Sequence, residues 1–189
     1  MSISIIDILM PDDRKLFAVT QWVLRAGIVV TSVLIGLFVL GVAAMIFGLA
    51  TSRLPLDWIA HATGVAMTAG EIGRIALTAH TGAIAALVLT QLILRALRRV
   101  VASASVGDPF IEANAVDLVR VAWLLLGVEV IDALIKPMVY LLAPAAVRAK
   151  VHDVFHISVT GLFAVLLIFV LAQIFRRGSE MRAELAGTI

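Results

Sequence analysis

Glu129, Asp132 and Lys136 are the residues whose types and spacing most readily suggest chemistry. At i, i+3 and i+7 they fall within about 60° of arc on one face of a helix. Asp132 and Lys136, acid first at i, i+4, are in the favourable order for an intrahelical ion pair. Glu129 has no partner close in sequence. Two readings stand side by side: a buried pair and a hydrogen-bonded glutamate holding helices together, or a site that handles a proton, an ion or a ligand.

The histidines widen the second reading. His152 and His156 are one helical turn apart, and with His80, Asp132, Lys136 and Asp153 they make a candidate polar cluster. Two imidazoles and a carboxylate suit zinc or another divalent ion. The same residues suit hydrogen bonding between helices, or a response to pH. The glutamate of a zinc-protease motif is missing, so metal binding stays open. No nucleophile–base–acid arrangement or phosphate loop occurs. The expectation is a non-enzyme with no cofactor.

These residues need a scaffold, and composition says which kind. Of 189 residues, 62% are apolar and 15% charged, with a mean hydropathy of +1.09. A soluble domain runs near 45–50% apolar and about 25% charged, and a chain this short cannot hide the excess in one core. The chain therefore reads as an all-α integral membrane protein. A net charge of +2 is too even for direct nucleic-acid binding, and without cysteine there are neither disulfides nor thiolate sites.

Four spans are expected, at about 26–50, 75–94, 118–142 and 154–175, forming a single four-helix bundle over 1–189. Asp7, Asp12 and Asp13 sit where a secretory signal would be basic, so the first apolar run should remain as a span. The third span is interrupted by Arg120, Glu129, Asp132 and Lys136, and Pro137 is expected to kink it. A lipid-facing acid near mid-membrane costs at least ~2.5 kcal/mol, so the charged stripe should face the bundle interior. Asp108 and Pro109 read as N-cap and first residue of this helix. Leu54, Leu56, Trp58 and Ile59, mixed with Asp57 and His61, suggest a short interfacial helix between the first two spans.

Basic residues orient the chain. Arg14, Lys15, Arg25, Arg95, Arg98, Arg99, Arg120, Arg176, Arg177 and Arg182 fall on one side. Arg53, Arg74, Lys136, Arg148 and Lys150 fall on the other. Ten against five puts both termini in the cytoplasm. The intervening elbow, 95–117, is then cytoplasmic. Arg95, Arg98, Arg99, Asp108 and Phe110 are its candidate docking residues for a partner, with membrane anchoring as the plainer role for the arginines and an interfacial position for Phe110. The small residues Ala76, Ala79, Gly82, Ala83, Ala85 and Ala86 let the second span approach its neighbours closely, and packing within the bundle is preferred over a dimer face.

Gly107-Asp108-Pro109-Phe110, with Asn114-Ala115 and a long apolar helix behind it, resembles the bacterial membrane proteins of the domain of unknown function 2975 family. The tail, Phe175-Arg-Arg-Gly178 ending in Leu185-Ala-Gly-Thr-Ile189, is similar too. The resemblance implies four spans, a multi-pass position in the bacterial cytoplasmic membrane, and a small helix-turn-helix regulator as candidate partner. It defines no catalytic or ligand residues. The sequence thus points to a sensor or regulatory partner of a cytoplasmic protein. The alternative is a small proton- or ion-coupled transporter, oligomeric in the membrane, using Glu129.

Overall fold

The computed structural model describes residues 13–54, 56–107, 109–149 and 158–186. All regular structure among them is helical: α1 (Asp13–Ala50), α2 (Leu56–Thr63), α3 (Ala69–Ser105), α4 (Glu112–Leu142), α5 (Ala145–Arg148) and α6 (Val159–Ala186). Three helical stretches, Lys15–Ala50, Ala69–Ser105 and Val159–Leu185, are long and apolar enough to cross a membrane. α4 matches them in length but carries Arg120, Glu129, Asp132 and Lys136.

Local chemistry accounts for two of the helix ends that face the α1–α3 connection. α1 ends where Ser52 takes a left-handed φ of 52°. Its N–H bonds the Leu49 carbonyl and that of Arg53 bonds Gly48, so two end carbonyls are satisfied. α2 is the short helix expected between the first two long ones. α3 opens on a capping box, Thr68 and Glu71 satisfying each other's backbone N–H groups. α4 begins at Glu112, not at Pro109. Residues 109–111 are non-helical, and Ile111 stands at the N-cap without a side-chain cap bond.

Helix runs beyond the apolar stretches at two places. Within the elbow, 95–117, α3 continues unbroken through Arg95, Arg98 and Arg99 to Ser105, and α4 starts at Glu112. Beyond the expected span end at 175, α6 continues as helix to Ala186. Neither stretch contains a proline, and charge alone does not end a helix. Pro137 lies inside α4, where it removes one backbone donor.

The long helices pack in series. α1 lies on α3, α3 on α4, and α4 on α6. The buried core is a seam between α3 and α4, built on Ile93, Ala96 and Val121 with Leu97, Leu124, Leu125 and Val128 around it and Ile168 of α6 closing it. Gly82 sits at the tightest point of the same seam, where an added Cβ would lie 2.6 Å from Ile135. The outer helices expose their apolar residues, Leu37, Leu40 and Phe47 on α1 and Phe163, Leu166 and Ile174 on α6 among them. A helix whose apolar residues look outward in this way is suited to lipid.

Two glycines should answer oppositely to substitution. Gly82→Val pries α3 from α4 and should lower stability by about 1–3 kcal/mol. Gly36, with open space around it, gains only helix propensity as Gly36→Ala, about 0.5–1 kcal/mol. Thermal unfolding in detergent, followed by far-UV circular dichroism, measures both.

Candidate functional site

The two ends of α4 carry different polar constructions. At its start, Asp117 is 8% exposed and is gripped by Arg99 of α3. Arg99 Nε donates to Oδ2 and Nη2 to Oδ1, both at 2.7 Å, a planar fork on a carboxylate. Arg120 adds a third bond, Nη1 to Oδ1 at 3.0 Å. The Arg99 hydrogen bonds hold the Asp117 carboxyl below its ordinary range, against desolvation, with both arginine charges helping.

A second construction closes the turn beside it. Asn114, 2% exposed, accepts from Ser103 Oγ at 2.8 Å and donates through Nδ2 to the Pro109 carbonyl at 2.8 Å. One side chain therefore ties the end of α3, the connecting segment and the first turn of α4. Gly107 turns the chain with φ +106°, a conformation open to glycine and costly for other residues. Phe110 then reaches α6. Its ring meets that of Phe175 with centroids 5.2 Å apart, and it fills the notch over Gly178, where a Cβ would lie 2.6 Å from the ring.

The candidate docking residues consequently divide. Arg99 is committed to Asp117, and Phe110 packs on α6 with part of its ring still exposed. Arg95 and Arg98 remain exposed, without a hydrogen bond or ion pair among the described residues. Asp108 lies outside the described residues. Asp117 was not singled out from the sequence, and Asn114 entered only as part of the family motif. An Arg at 99 facing an Asp eighteen positions on, across a Gly-Asp-Pro turn, was the available signal.

At the far end of α4, Lys136 Nζ donates to Asp132 Oδ2 at 2.5 Å, the pair expected from the spacing. It lines a groove of about 670 Å³ between α3 and α4. Glu129 is turned elsewhere, its carboxylate seated against Gly161 of α6, where a Cβ would overlap it. Half-buried, it makes no hydrogen bond or ion pair among the described residues. The stripe is one face in sequence but serves two seams in space.

His80 does not join it. Its Nδ1 bonds the Ala76 carbonyl at 2.7 Å, its ring lies edge-on to Phe38 at 5.4 Å, and Nε2 abuts Gly41, all toward α1. Gly82, two residues on, faces α4, so His80 and the Asp132–Lys136 pair occupy different seams of α3. His152, Asp153 and His156 lie outside the described residues, as does the start of the fourth expected span. Among the described residues no three His, Asp or Glu side chains gather as a metal site.

A family model described as "Protein of unknown function (DUF2975)" matches residues 55–189. The chain belongs to the DUF2975 family. The match takes in the whole α3–α4–α6 assembly, with both the clasp around Asp117 and the groove. The two stretches that carry the resemblance, 107–115 and the tail, meet physically in this DUF2975 chain where Phe110 packs on Phe175 and Gly178. No curated protein matches the chain, and no solved structure does.

The clasp carries a pH signature. A carboxyl whose folded value is lowered contributes stability above its ordinary value of about 3.9 and loses it as pH falls through the folded value. Asp117→Ala should lower stability at neutral pH by about 2 kcal/mol, the worth of hydrogen bonds to a charged group. It should also flatten the loss that the unsubstituted protein shows below about pH 4. Unfolding midpoints across that pH series test both statements.

Proposed function

We propose that this protein is a non-enzymatic sensor or regulatory partner, spanning the bacterial cytoplasmic membrane four times with both termini inside. The apolar helices α1, α3 and α6 support a multi-pass membrane position. α4 supplies the fourth crossing: it is packed between α3 and α6, Glu129 is seated against α6, and the half-exposed Asp132 and Lys136 neutralise each other as an ion pair. The start of α1, the ends of α3 and α6 and the start of α4 lie at one pole, as the contacts Gln21–Ser105, Arg99–Asp117 and Phe110–Phe175 require. That pole carries ten of the fifteen Lys and Arg residues and is the cytoplasmic one by the positive-inside rule.

The observation that carries the regulatory reading is the division of labour along α4. One end borders a groove with an ion pair at its mouth. The other is clasped to α3 and α6 at the basic pole. A ligand that binds one α3–α4 arrangement better than another shifts the population of both ends together. Exposed Arg95 and Arg98 offer a surface to an acidic patch on a soluble protein, for which a helix-turn-helix regulator is the candidate.

A second reading rests on Glu129. A half-buried carboxylate with no partner among the described residues, between α4 and α6, suits a proton- or ion-coupled transporter, monomeric or oligomeric.

Photo-crosslinkers placed at Arg95, Arg98 and Arg177 in membrane vesicles supplied with cytosol should capture one discrete soluble protein. The same probe at Ala146, at the opposite pole, should capture none. Identical capture from both poles, or none from either, contradicts the regulatory reading. Proton or ion flux in proteoliposomes that disappears in Glu129→Gln establishes the transporter reading instead.

A further inference from the structure

The groove between α3 and α4 combines two features that a single class of ligand satisfies. Its floor is apolar. On α3 the small side chains Ala79 and Ala83 leave the space, and on α4 Ile131 and Ile135 form the opposite wall. From Ile75 to Ala86 the α3 wall runs about 16 Å at the helical rise, enough for an acyl chain to lie along it. Small residues on one side and branched ones on the other keep a channel open beyond the contact of Gly82 with Ile135.

Its mouth is charged, and unevenly. Among the described residues Lys136 and Arg148 both line it, against the single carboxylate of Asp132. Lys136 gives one hydrogen bond to Asp132 and keeps two further donors. Arg148 Nη1 donates to the carbonyls of Leu141 and Ala143, at 3.2 and 3.1 Å. These bonds fix the guanidinium at the end of α4 without neutralising it. Its Nε and Nη2 donors have no partner among the described residues. A guanidinium held by backbone carbonyls, with its other donors unmatched among the described residues, is preorganised for an oxyanion.

We infer that this groove binds a membrane lipid with an anionic phosphate headgroup, its acyl chain along α3 and its phosphate at Arg148 and Lys136. A zwitterionic phosphatidylcholine brings the same chain and phosphate, but its ammonium faces two protein cations. An anionic phosphatidylglycerol does not. Selectivity between them is therefore the mark of the charged mouth, whereas occupancy by either is the mark of the apolar floor. The inference names the ligand of the groove that the regulatory reading uses. It is independent of any soluble partner at the opposite pole, so the crosslinking experiment and the lipid experiment fail separately.

Native mass spectrometry of the full-length protein in a nonionic detergent tests it, with dioleoyl phosphatidylglycerol and dioleoyl phosphatidylcholine titrated separately. The first phosphatidylglycerol should bind about tenfold more tightly than the first phosphatidylcholine, a difference of about 1.4 kcal/mol. Arg148→Gln should erase that preference while leaving phosphatidylcholine binding unchanged. Ala83→Leu, which fills the floor, should weaken the first binding of both lipids. Arg98→Gln, at the other pole, should change neither. Arg148 and Ala83 are not core residues, and circular dichroism checks that both variants fold. Equal affinity for the two lipids in the unsubstituted protein overturns the inference, as does a preference that survives Arg148→Gln.

Discussion

The fork of Arg99 on Asp117 sets the register of the α3–α4 hairpin, and the rest of the assembly follows from that register. A carboxylate that is 8% exposed must have its charge compensated where it lies, and only one rotation and one translation of α4 on α3 bring both guanidinium donors to it. With that fixed, Val121 meets Ile93 and Ala96 in the core, Asn114 reaches both Ser103 and Pro109, and Ile135 comes down on Gly82. Phe110 is left pointing at α6, where Phe175 and Gly178 receive it.

Most of the architecture was legible before any coordinates, because lipid-facing helices declare themselves through long apolar runs. The ends of α1 and α4 fall where the expected spans end, at Ala50 and Leu142. Less legible was where helices continue beyond the apolar run. The charges of Arg95, Arg98 and Arg99 mark a membrane boundary, which is not where a helix has to end. The backbone has no reason to stop there, and Gly107 is the first residue that turns it. Likewise the apolar run ends at Phe175 while α6 continues to Ala186. The Asp108–Pro109 cap failed for a different reason. Asn114 draws the Pro109 carbonyl to its own side chain, and the helix starts three residues later than the capping signal suggested.

The candidate site was half legible. A spacing of four with acid before base identified the Asp132–Lys136 pair, since helix geometry alone brings such residues together. Where Glu129 and His80 point depends on which neighbour lies on which side. Serial packing gives α3 two seams and α4 two seams, so residues one turn apart face different partners. Periodicity fixes the face of a helix but carries no information about which helix covers that face.

Packed in series, the helices make α4 the element on which every functional reading converges. It borders the groove, holds Glu129 against α6 and forms half of the clasp at the basic pole. The central claim is that α4 crosses the membrane despite its charges and so joins two compartments. Because the chain has no cysteine, single cysteines introduced in place of Ser52, Ala146 and Ser179 can be probed with a membrane-impermeant maleimide in right-side-out vesicles. Labelling of the first two positions in intact vesicles, and of Ser179→Cys only after permeabilisation, is the predicted result. Labelling of Ala146→Cys and Ser179→Cys under the same condition contradicts the account, since α4 would then begin and end on one side.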